Sequence, residues 1–477
     1  MQTARLMIAA PQGRSGKTAV AIGLCASLRE SGLIIKPFKK GPDYIDPSWL
    51  SAAAGLPCSN LDLFMFDPSA LLRSFREGCE RADLALIEAS MGLYDSPLDE
   101  GEGSSAWLAR ELQSPVILVV NCSRMTRSAA AMVSGYLNFE PTTPIAGVIL
   151  NYVGNPRHER TITKAIEQHC DIPVLGALPR DERLAIRERH LGIVPLQEQA
   201  EAATMIDRIG STIKQYVDIK RILSIAHVSE RSTYLARDDR SDSVLSTKAA
   251  TRQSISIKVK IGVLADRAFS FYYPENLDAL QRNGAQLVYI DSFADKHLPA
   301  VDALYIGGGF PELYASELEA NNSLRQDIKA GVESGLPVYA ECAGLIYLCR
   351  SLLTEGKAYD MVGVIPADVV IEKKPQGHGY VTAEVTERNP FFPEGTTLKG
   401  HEFHHSRLLN SGGQPCAYRV IRGNGIDGKT DGIVYKNVLA SYMHLHALGA
   451  PSWAQNFVKL ASAGKNAEKR ITVITGG

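Results

Sequence analysis

The sequence predicts an α/β protein of two domains, each a mostly parallel sheet flanked by helices. Three observations carry that reading. Short β-branched runs alternate with helical stretches, as in a parallel sheet covered by helices. The rhythm stops near residue 228 and restarts near residue 258. In each half a strand runs straight into a glycine-rich turn. At about 150 residues per domain, 477 residues allow roughly three domains or two large ones.

In the first half, RLMIAA (5–10) reads as a strand ending in the Gly-rich turn, and a helical pattern follows over 17–30. Further buried strands are expected at 83–87, 115–120 and 145–150, with helices between them. Residues 228–256 are polar, rich in Ser, Thr and Arg, and have no period, so they read as a linker. The expected organisation is therefore a first domain over 1–227, a linker over 228–256 and a second domain over 257–477. The second half begins with KVKIGVLAD, then a helix near 274–283, then the strands QLVYI, DALYIGGG and LPVYAEC. Residues from about 464 are expected to fray, with ITVI as an alternative last strand.

Composition narrows the function classes. Fifty-one basic residues face 52 acidic ones, for a formal charge of -1, which gives no electrostatic reason for sequence-independent nucleic-acid binding. No apolar run reaches about 18 residues, so no membrane span is expected. The apolar stretch at the start is too short for a signal peptide. Eight scattered cysteines without a CxxC or zinc spacing read as mostly reduced core residues of a cytoplasmic protein.

Pro11-Gln12-Gly13-Arg14-Ser15-Gly16-Lys17-Thr18 follows a strand and opens a helix, the context that a phosphate loop requires. The backbone N–H groups around Gly13, Ser15 and Gly16 can converge on phosphate oxygens at a helix N-terminus. Lys17 can reach the terminal phosphates, and the Thr18 hydroxyl can ligate Mg2+. Pro11 stands where the usual pattern has Gly. Gln12 stands where dimerising partition-type ATPases carry a second lysine, which argues against that class.

Asp43 and Asp46 lie in a constrained loop (FKKGPDYIDP, 38–47) near a strand end, where carboxylates suit Mg2+ held between protein and phosphates. A capped turn is the competing reading. Glu88 ends the strand ADLALI, the usual place of a second Mg2+ contact. Asp95 follows in the next loop, where a cap or a solvated charge competes.

In the second half, Cys342 sits on a strand-to-helix turn, Glu341-Cys342-Ala343-Gly344, the geometry of a nucleophile elbow. The following helix N-terminus is expected to lower the thiol pKa and expose the sulfur. Gly307-Gly308-Gly309 follows another strand and can aim N–H groups at an oxyanion. The segment YMHLH (442–446) offers two histidines, one of which could serve as the base. A buried core thiol is the competing reading of Cys342 alone.

With these motifs in place, the chain resembles the cobyrinate a,c-diamide synthase family. The resemblance rests on SGKT (15–18), FKKGPDYIDP, NLDLFM (60–65), IEASMGLYD (87–95), RSAAAMVSGY (127–136), AGVILNYVGNPRH (146–158), GALPRD (176–181) and RHLGIVP (189–195). In the second half it rests on AECAG, where the family has AECGG, and on GHEFHHS (400–406), where it has GHEFHYS. The resemblance implies a dethiobiotin synthetase-like, phosphate-loop amidoligase fused to a class I glutamine amidotransferase. It implies ATP contacts at Asn151 and substrate or phosphorylation roles for Lys39, Asp46 and Asp95. It implies Mg2+ at Thr18, Asp43 and Glu88, and an oxyanion site from Gly308, Gly309 and the Ala343 backbone. His444 becomes the base by its place in the family's SYxHLH segment, while His446 stands where many glutaminases carry a triad Glu.

The implied function is glutamine- and ATP-dependent amidation of tetrapyrrole acetates through an acyl phosphate, with the a and c acetates of cobyrinate first in line. The same chemistry on sirohaem, nickel sirohydrochlorin or hydrogenobyrinate is the alternative. A nucleotide switch with a degenerate glutaminase fold is the alternative of another class. The expected ligands are a tetrapyrrole, L-glutamine and ATP, without nucleic acid or membrane, and a homodimer is one assembly this allows.

Overall fold

The computed structural model describes residues 3–96, 101–181, 184, 186, 188–189, 192–235, 259–387, 389–410 and 413–475. Backbone contacts divide the chain into two compact units: Met1–Leu63 with Pro68–Thr247, and Phe64–Asp67 with Lys248–Gly477.

The first unit runs β1 (Ala4–Ala9), α1 (Lys17–Glu30), β2 (Ile35–Lys40), α2 (Ile45–Ala54), β3 (Ser59–Leu61), α3 (Pro68–Cys79), β4 (Leu84–Glu88), α4 (Ser105–Glu111), β5 (Val116–Asn121), α5 (Arg127–Phe139), β6 (Ile145–Val153), α6 (Pro156–Cys170) and β7 (Val174–Pro179). A small hairpin of β8 (Glu188–Arg189) and β9 (Gly192–Ile193) follows, then α7 (Ala202–Tyr216) and α8 (Ile219–Leu235). The seven-stranded sheet has the order β3-β2-β4-β1-β5-β6-β7, and every pairing is parallel. Helices cover such a sheet on both faces, so β4 and β5 are continuous buried apolar runs rather than alternating ones. Because β4 lies between β1 and β2, the loops after these three strands open side by side at one sheet edge. That edge holds the phosphate loop and both acidic loops.

The expected strands near 83, 115 and 145 are β4, β5 and β6. The strand end expected close to Asp43 is that of β2, whose extent was not read from the sequence. Its sequence, IKPFKK, carries three lysines, yet the whole strand is buried; the Lys36 and Lys39 ammonium groups have partners inside.

The second unit contains β10 (Val259–Leu264), α9 (Pro274–Arg282), β11 (Ala285–Ile290), β12 (Ala303–Ile306), α10 (Ala315–Ala320), α11 (Asn322–Glu333), β13 (Val338–Glu341) and α12 (Ala343–Leu348). It continues through β14 (Cys349–Thr354), β15 (Lys357–Asp360), β16 (Ile365–Ile371), β17 (Gly377–Val385), β18 (Thr397–His404), β19 (Ser406–Leu409), β20 (Cys416–Arg422), β21 (Thr430–Tyr435), β22 (Val438–Ser441), β23 (His444–Leu445) and α13 (Ser452–Thr475). The main sheet is mixed, in the order β11-β10-β12-β13-β22-β21-β20-β17-β18-β23. It is parallel from β11 to β22 and antiparallel from there on. A four-stranded sheet, β15-β14-β16-β19, stands beside it.

Two sequence expectations change. Helix α8 runs through the start of the expected 228–256 linker, and residues 236–258 lie outside the described residues. ITVI belongs to α13 rather than to a strand. All eight cysteines are free, and six of them are buried. Among the described residues no helix is long and apolar enough to cross a membrane.

Trp49 on α2 is wholly buried, and its indole N–H donates to the Val194 carbonyl at 2.9 Å, tying the segment after β9 to the core. We expect Trp49→Phe to lose about 1–3 kcal/mol, since a buried acceptor loses its donor and the smaller ring leaves a void. Chemical denaturation of the variant against the parent chain measures it.

Candidate functional site

The phosphate loop takes the conformation that its residues predict. Arg14 and Gly16 both have positive φ, at 58° and 86°. The Ser15 hydroxyl donates to the Gln12 carbonyl at 2.9 Å and closes the turn. Asn151, at the end of β6, donates from its amide to the Ser15 carbonyl at 2.9 Å, and a Cβ on Gly16 would overlap that amide. Asn151 thus braces the loop. Tyr136, which the sequence did not single out, donates its hydroxyl to the Pro11 carbonyl at 2.7 Å. Space around Gly13 is open. Lys17 is buried, and burial together with Lys39 holds its ammonium below the usual range, against the pull of Glu88, Asp46 and Asp43.

Beside the loop lies a buried charge cluster. The Lys39 ammonium stands 2.5 Å from Asp46 Oδ2, 3.2 Å from Glu88 Oε2 and 3.8 Å from Asp43 Oδ2. Burial alone would lower the Lys39 pKa, but these three carboxylates outweigh it and raise it. The Thr18 hydroxyl donates to Glu88 Oε1 at 2.5 Å and lies 3.5 Å from Asp46 Oδ2. Thr18, Lys39, Asp43, Asp46 and Glu88 therefore meet, although they come from three separate segments of the chain, around the ends of β1, β2 and β4.

Asp43 serves its own turn as well. Its Oδ1 accepts the N–H groups of Ile45 and Asp46 at 2.9 and 3.1 Å, capping α2. Burial first, then Asp46, pushes its carboxyl up to about 7. Buried Asn60 pins this loop by donating to the carbonyls of Gly41 and Asp43. Asp95 shows the bland alternative: its Oδ2 accepts the Gly92 N–H at 2.8 Å and closes its own loop. That loop nevertheless rests on the phosphate loop, through the Leu93 N–H to the Ala10 carbonyl.

These donors suit Mg2+, a hard cation that takes oxygen ligands. Thr18 and Glu88 present oxygens beside the phosphate loop, and buried Glu88 Oε2 is faced by the Lys39 ammonium at 3.2 Å. Among the described residues no cluster of three or more His, Cys, Asp or Glu forms a ready cage. Mg2+ does not need one, since it binds through one or two carboxylates plus phosphate oxygens and water.

In the second unit, Cys342 has φ 47° and ψ −96° between β13 and α12, a strained backbone that fits a nucleophile elbow. The Gly344 N–H donates to the Gly307 carbonyl at 3.1 Å, and a Cβ on Gly344 would overlap the Ile306 carbonyl. The elbow and the glycine loop are thus in backbone contact. The thiol departs from expectation: Cys342 is buried, and burial, then Glu312, raises its pKa. The Ala343 N–H pulls the other way, but one short helix does not offset the loss of water. The Phe403 carbonyl of the GHEFHHS segment lies 3.8 Å from the sulfur.

His444 is buried at this point. A Cβ on Gly308 would overlap its Cε1, so the imidazole edge abuts the glycine loop. Its ring stacks on His401 at 4.9 Å and 9°, and His401 meets the Tyr273 hydroxyl at 2.7 Å. His446 has other duties: its Nδ1 accepts the Leu448 N–H at 3.2 Å, and its Nε2 lies 3.5 Å from Glu275. Geometry therefore favours His444 as the base. Wholly buried Asp431 accepts the N–H groups of Tyr442 and Met443, both at 3.0 Å, and holds the approach to His444. Burial pushes its carboxyl up to about 6 against those bonds. His401, Tyr273 and Asp431 were not legible as partners, because they lie 13 to 171 residues from His444 without a shared local pattern.

Comparisons with known proteins agree with both halves. Residues 6–193 match the CobQ/CobB/MinD/ParA nucleotide binding domain, and residues 260–452 match the CobB/CobQ-like glutamine amidotransferase domain. The chain is 44% identical over 451 residues to the cobyrinate a,c-diamide synthase of Magnetococcus marinus, covering 94% of this chain and 95% of the relative. It is 41% identical to that of Archaeoglobus fulgidus, covering 98% of this chain and 99% of the relative. It is 40% identical to that of Dehalococcoides mccartyi, covering 97% and 99%.

The raised thiol pKa has a direct readout. Alkylation of Cys342 by iodoacetamide, followed by peptide mass mapping, should keep accelerating as pH rises past the ordinary thiol value of 9.0. A plateau near pH 7 would mean that the resting group is already a thiolate.

Proposed function

The chain belongs to the cobyrinate a,c-diamide synthase family, and from that premise we propose that it amidates acetate side chains of a tetrapyrrole acid. The acetates are the a and c carboxylates of cobyrinate, glutamine is the nitrogen source, and ATP is the activating co-substrate. The observation that carries the reading is the pairing in one chain of two differently built centres. One is a phosphate loop beside buried carboxylates, and the other is a strained cysteine beside a glycine loop and a histidine.

A carboxylate is a poor electrophile for ammonia. Attack of its oxygen on the γ-phosphorus of ATP releases ADP and leaves an acyl phosphate. Lys17 and the loop N–H groups hold the transferring phosphoryl group, and Lys39 offsets the charge gathered beside it. Thr18, Glu88 and Asp43 would hold Mg2+, which when bound neutralises charge on the phosphate oxygens. Asp46 keeps Lys39 in place. Asp95 shapes the neighbouring loop, and Asn151 braces the phosphate loop next to the nucleotide.

In the other centre, Cys342 attacks the side-chain amide carbon of glutamine while His444 takes the thiol proton and returns it to the departing nitrogen. Backbone N–H groups of Gly308, Gly309 and Ala343 would face the oxyanion. Ammonia leaves, and water then frees glutamate from the thioester. Ammonia displaces phosphate from the acyl phosphate in the first centre.

Incubation with cobyrinate, ATP and glutamine, with mass detection, should show a loss of about one mass unit for each carboxylate amidated, since OH is replaced by NH2. Amidation of hydrogenobyrinate, sirohaem or nickel sirohydrochlorin in place of cobyrinate would reassign the substrate within the same chemistry. Cys342→Ala should abolish glutamine use and leave ammonia-dependent amidation. Equal loss with both nitrogen sources, in folded protein, would count against a division of labour between the centres.

Lys17→Ala and Glu88→Gln should each remove amidation with either nitrogen source. Losing a major electrostatic contact to the transition state costs ~3 kcal/mol or more, by analogy with a deleted oxyanion donor. Near-normal ammonia-dependent turnover in both variants would move the ATP site elsewhere.

A further inference from the structure

The base His444 has no acid two residues on, because that place is His446. The fold brings another carboxylate to it. Glu341, the last residue of β13 and the immediate neighbour of Cys342, is buried, and its Oε2 lies 3.8 Å from His444 Nδ1. Both of its oxygens are anchored. Oε1 accepts the Leu445 N–H at 3.0 Å, from the residue that follows the base. Oε2 accepts the Tyr305 hydroxyl at 3.0 Å. Consecutive residues at a strand end diverge, so the acid and the nucleophile can be neighbours in sequence and still serve different sides of the imidazole.

We propose that Glu341 is the positioning residue of the glutaminase centre, fixing the tautomer and orientation of His444 from the nucleophile's own strand. The inference rests on Cys342 and His444 as the glutaminase pair. In the resting state the gap is longer than a hydrogen bond, and such contacts tighten in the substrate complex. With Nδ1–H held by Glu341, Nε2 is left as the acceptor for the Cys342 proton. As the sulfur–carbon bond forms, the imidazolium that appears is faced by the carboxylate. When the carbon–nitrogen bond breaks, that proton leaves on ammonia.

The other groups around the ring do not fill this role. His401 is stacked face to face on it, and burial holds the His401 imidazole well below its usual range, so it brings no negative charge. Gly308 offers only backbone. Glu312 acts on the Cys342 side.

Glu341→Gln tests this in the full chain, because it keeps the side chain's shape and can still accept the Leu445 N–H. Glutamate release should fall about a hundredfold or more in kcat with little change in KM, in the direction of the tautomer error made by an Asp→Asn change in a serine protease triad. Ammonia-dependent amidation should stay within about twofold, a margin well inside the tenfold that 1.4 kcal/mol represents. The acidic limb of the glutaminase pH profile should move to lower pH, since the imidazolium loses its counter-charge. Glu341→Asp should recover part of the rate and place the limb between the two.

Parent-like kcat and an unmoved limb in folded Glu341→Gln would overturn the assignment, and so would equal loss of both activities. If Glu341→Gln does not fold, a parent-like limb in Glu341→Asp would overturn it. A parent chain that releases no glutamate at all would instead sink the glutaminase reading, and the positioning role with it.

Discussion

The ammonium of Lys39 inside three carboxylates is the constraint around which the first centre is arranged. Gathering the carboxylates of Glu88, which is fully buried, and of Asp43 and Asp46, which are partly buried, would be costly without cations to match, since an uncompensated buried charge costs several kcal/mol. Lys39 and Lys17 supply two positive charges against three negative ones. Burial first, then the neighbouring Asp46, pushes the Asp43 carboxyl up to about 7. Three carboxylates and two lysines beside a phosphate loop are the setting in which the proposed Mg2+ would arrive with phosphates. The same cluster explains why β2 can be a central, buried strand while carrying lysines, and why the loops after β1, β2 and β4 are held together at one sheet edge.

The second centre depends on backbone proximity rather than on charge. The elbow at Cys342 and the glycine loop touch through the Gly344 N–H and the Gly307 carbonyl, and side chains at Gly308 or Gly344 would push His444 or Ile306 away. Small residues are therefore required where the Cys342 elbow, His444 and the glycine loop converge. Asp431 and Glu341 then fasten the histidine segment from two strands, β21 and β13, by accepting its backbone N–H groups. Their carboxylates replace the regular strand pairing that a two-residue strand such as β23 cannot supply.

What could be read from the sequence divides along the same line. Motifs whose parts are close in sequence were legible. The phosphate loop, the 41–46 loop, the Glu88 strand end and the Cys342 elbow each fall within a few residues and sit where strand–turn–helix reasoning puts them. Partners that meet only through the fold were not, as with Asn60 pinning the Asp43 loop, Tyr136 on Pro11, or His401 against His444. The antiparallel half of the second sheet was hidden for another reason. β17 alternates buried with more exposed residues and β20 is exposed over much of its length, so they lack the continuous apolar runs that mark β4 and β5. The thiol was misjudged because a helix N-terminus is written in the sequence whereas desolvation is not.

That misjudgement has a mechanistic meaning. A cysteine kept protonated by burial is a poor nucleophile towards anything that drifts past, and it wastes no glutamine while idle. Its reaction requires a base that can accept the proton inside the same dry pocket, and a base there requires a countercharge already in place, because water cannot supply one. Imidazole beside a fixed carboxylate meets both demands at once, whereas a thiolate stabilised in advance would need a permanent cation nearby. Both centres therefore set charge against burial. In one, two lysines offset most of the charge of three carboxylates beside the phosphate loop, and in the other burial favours the neutral thiol.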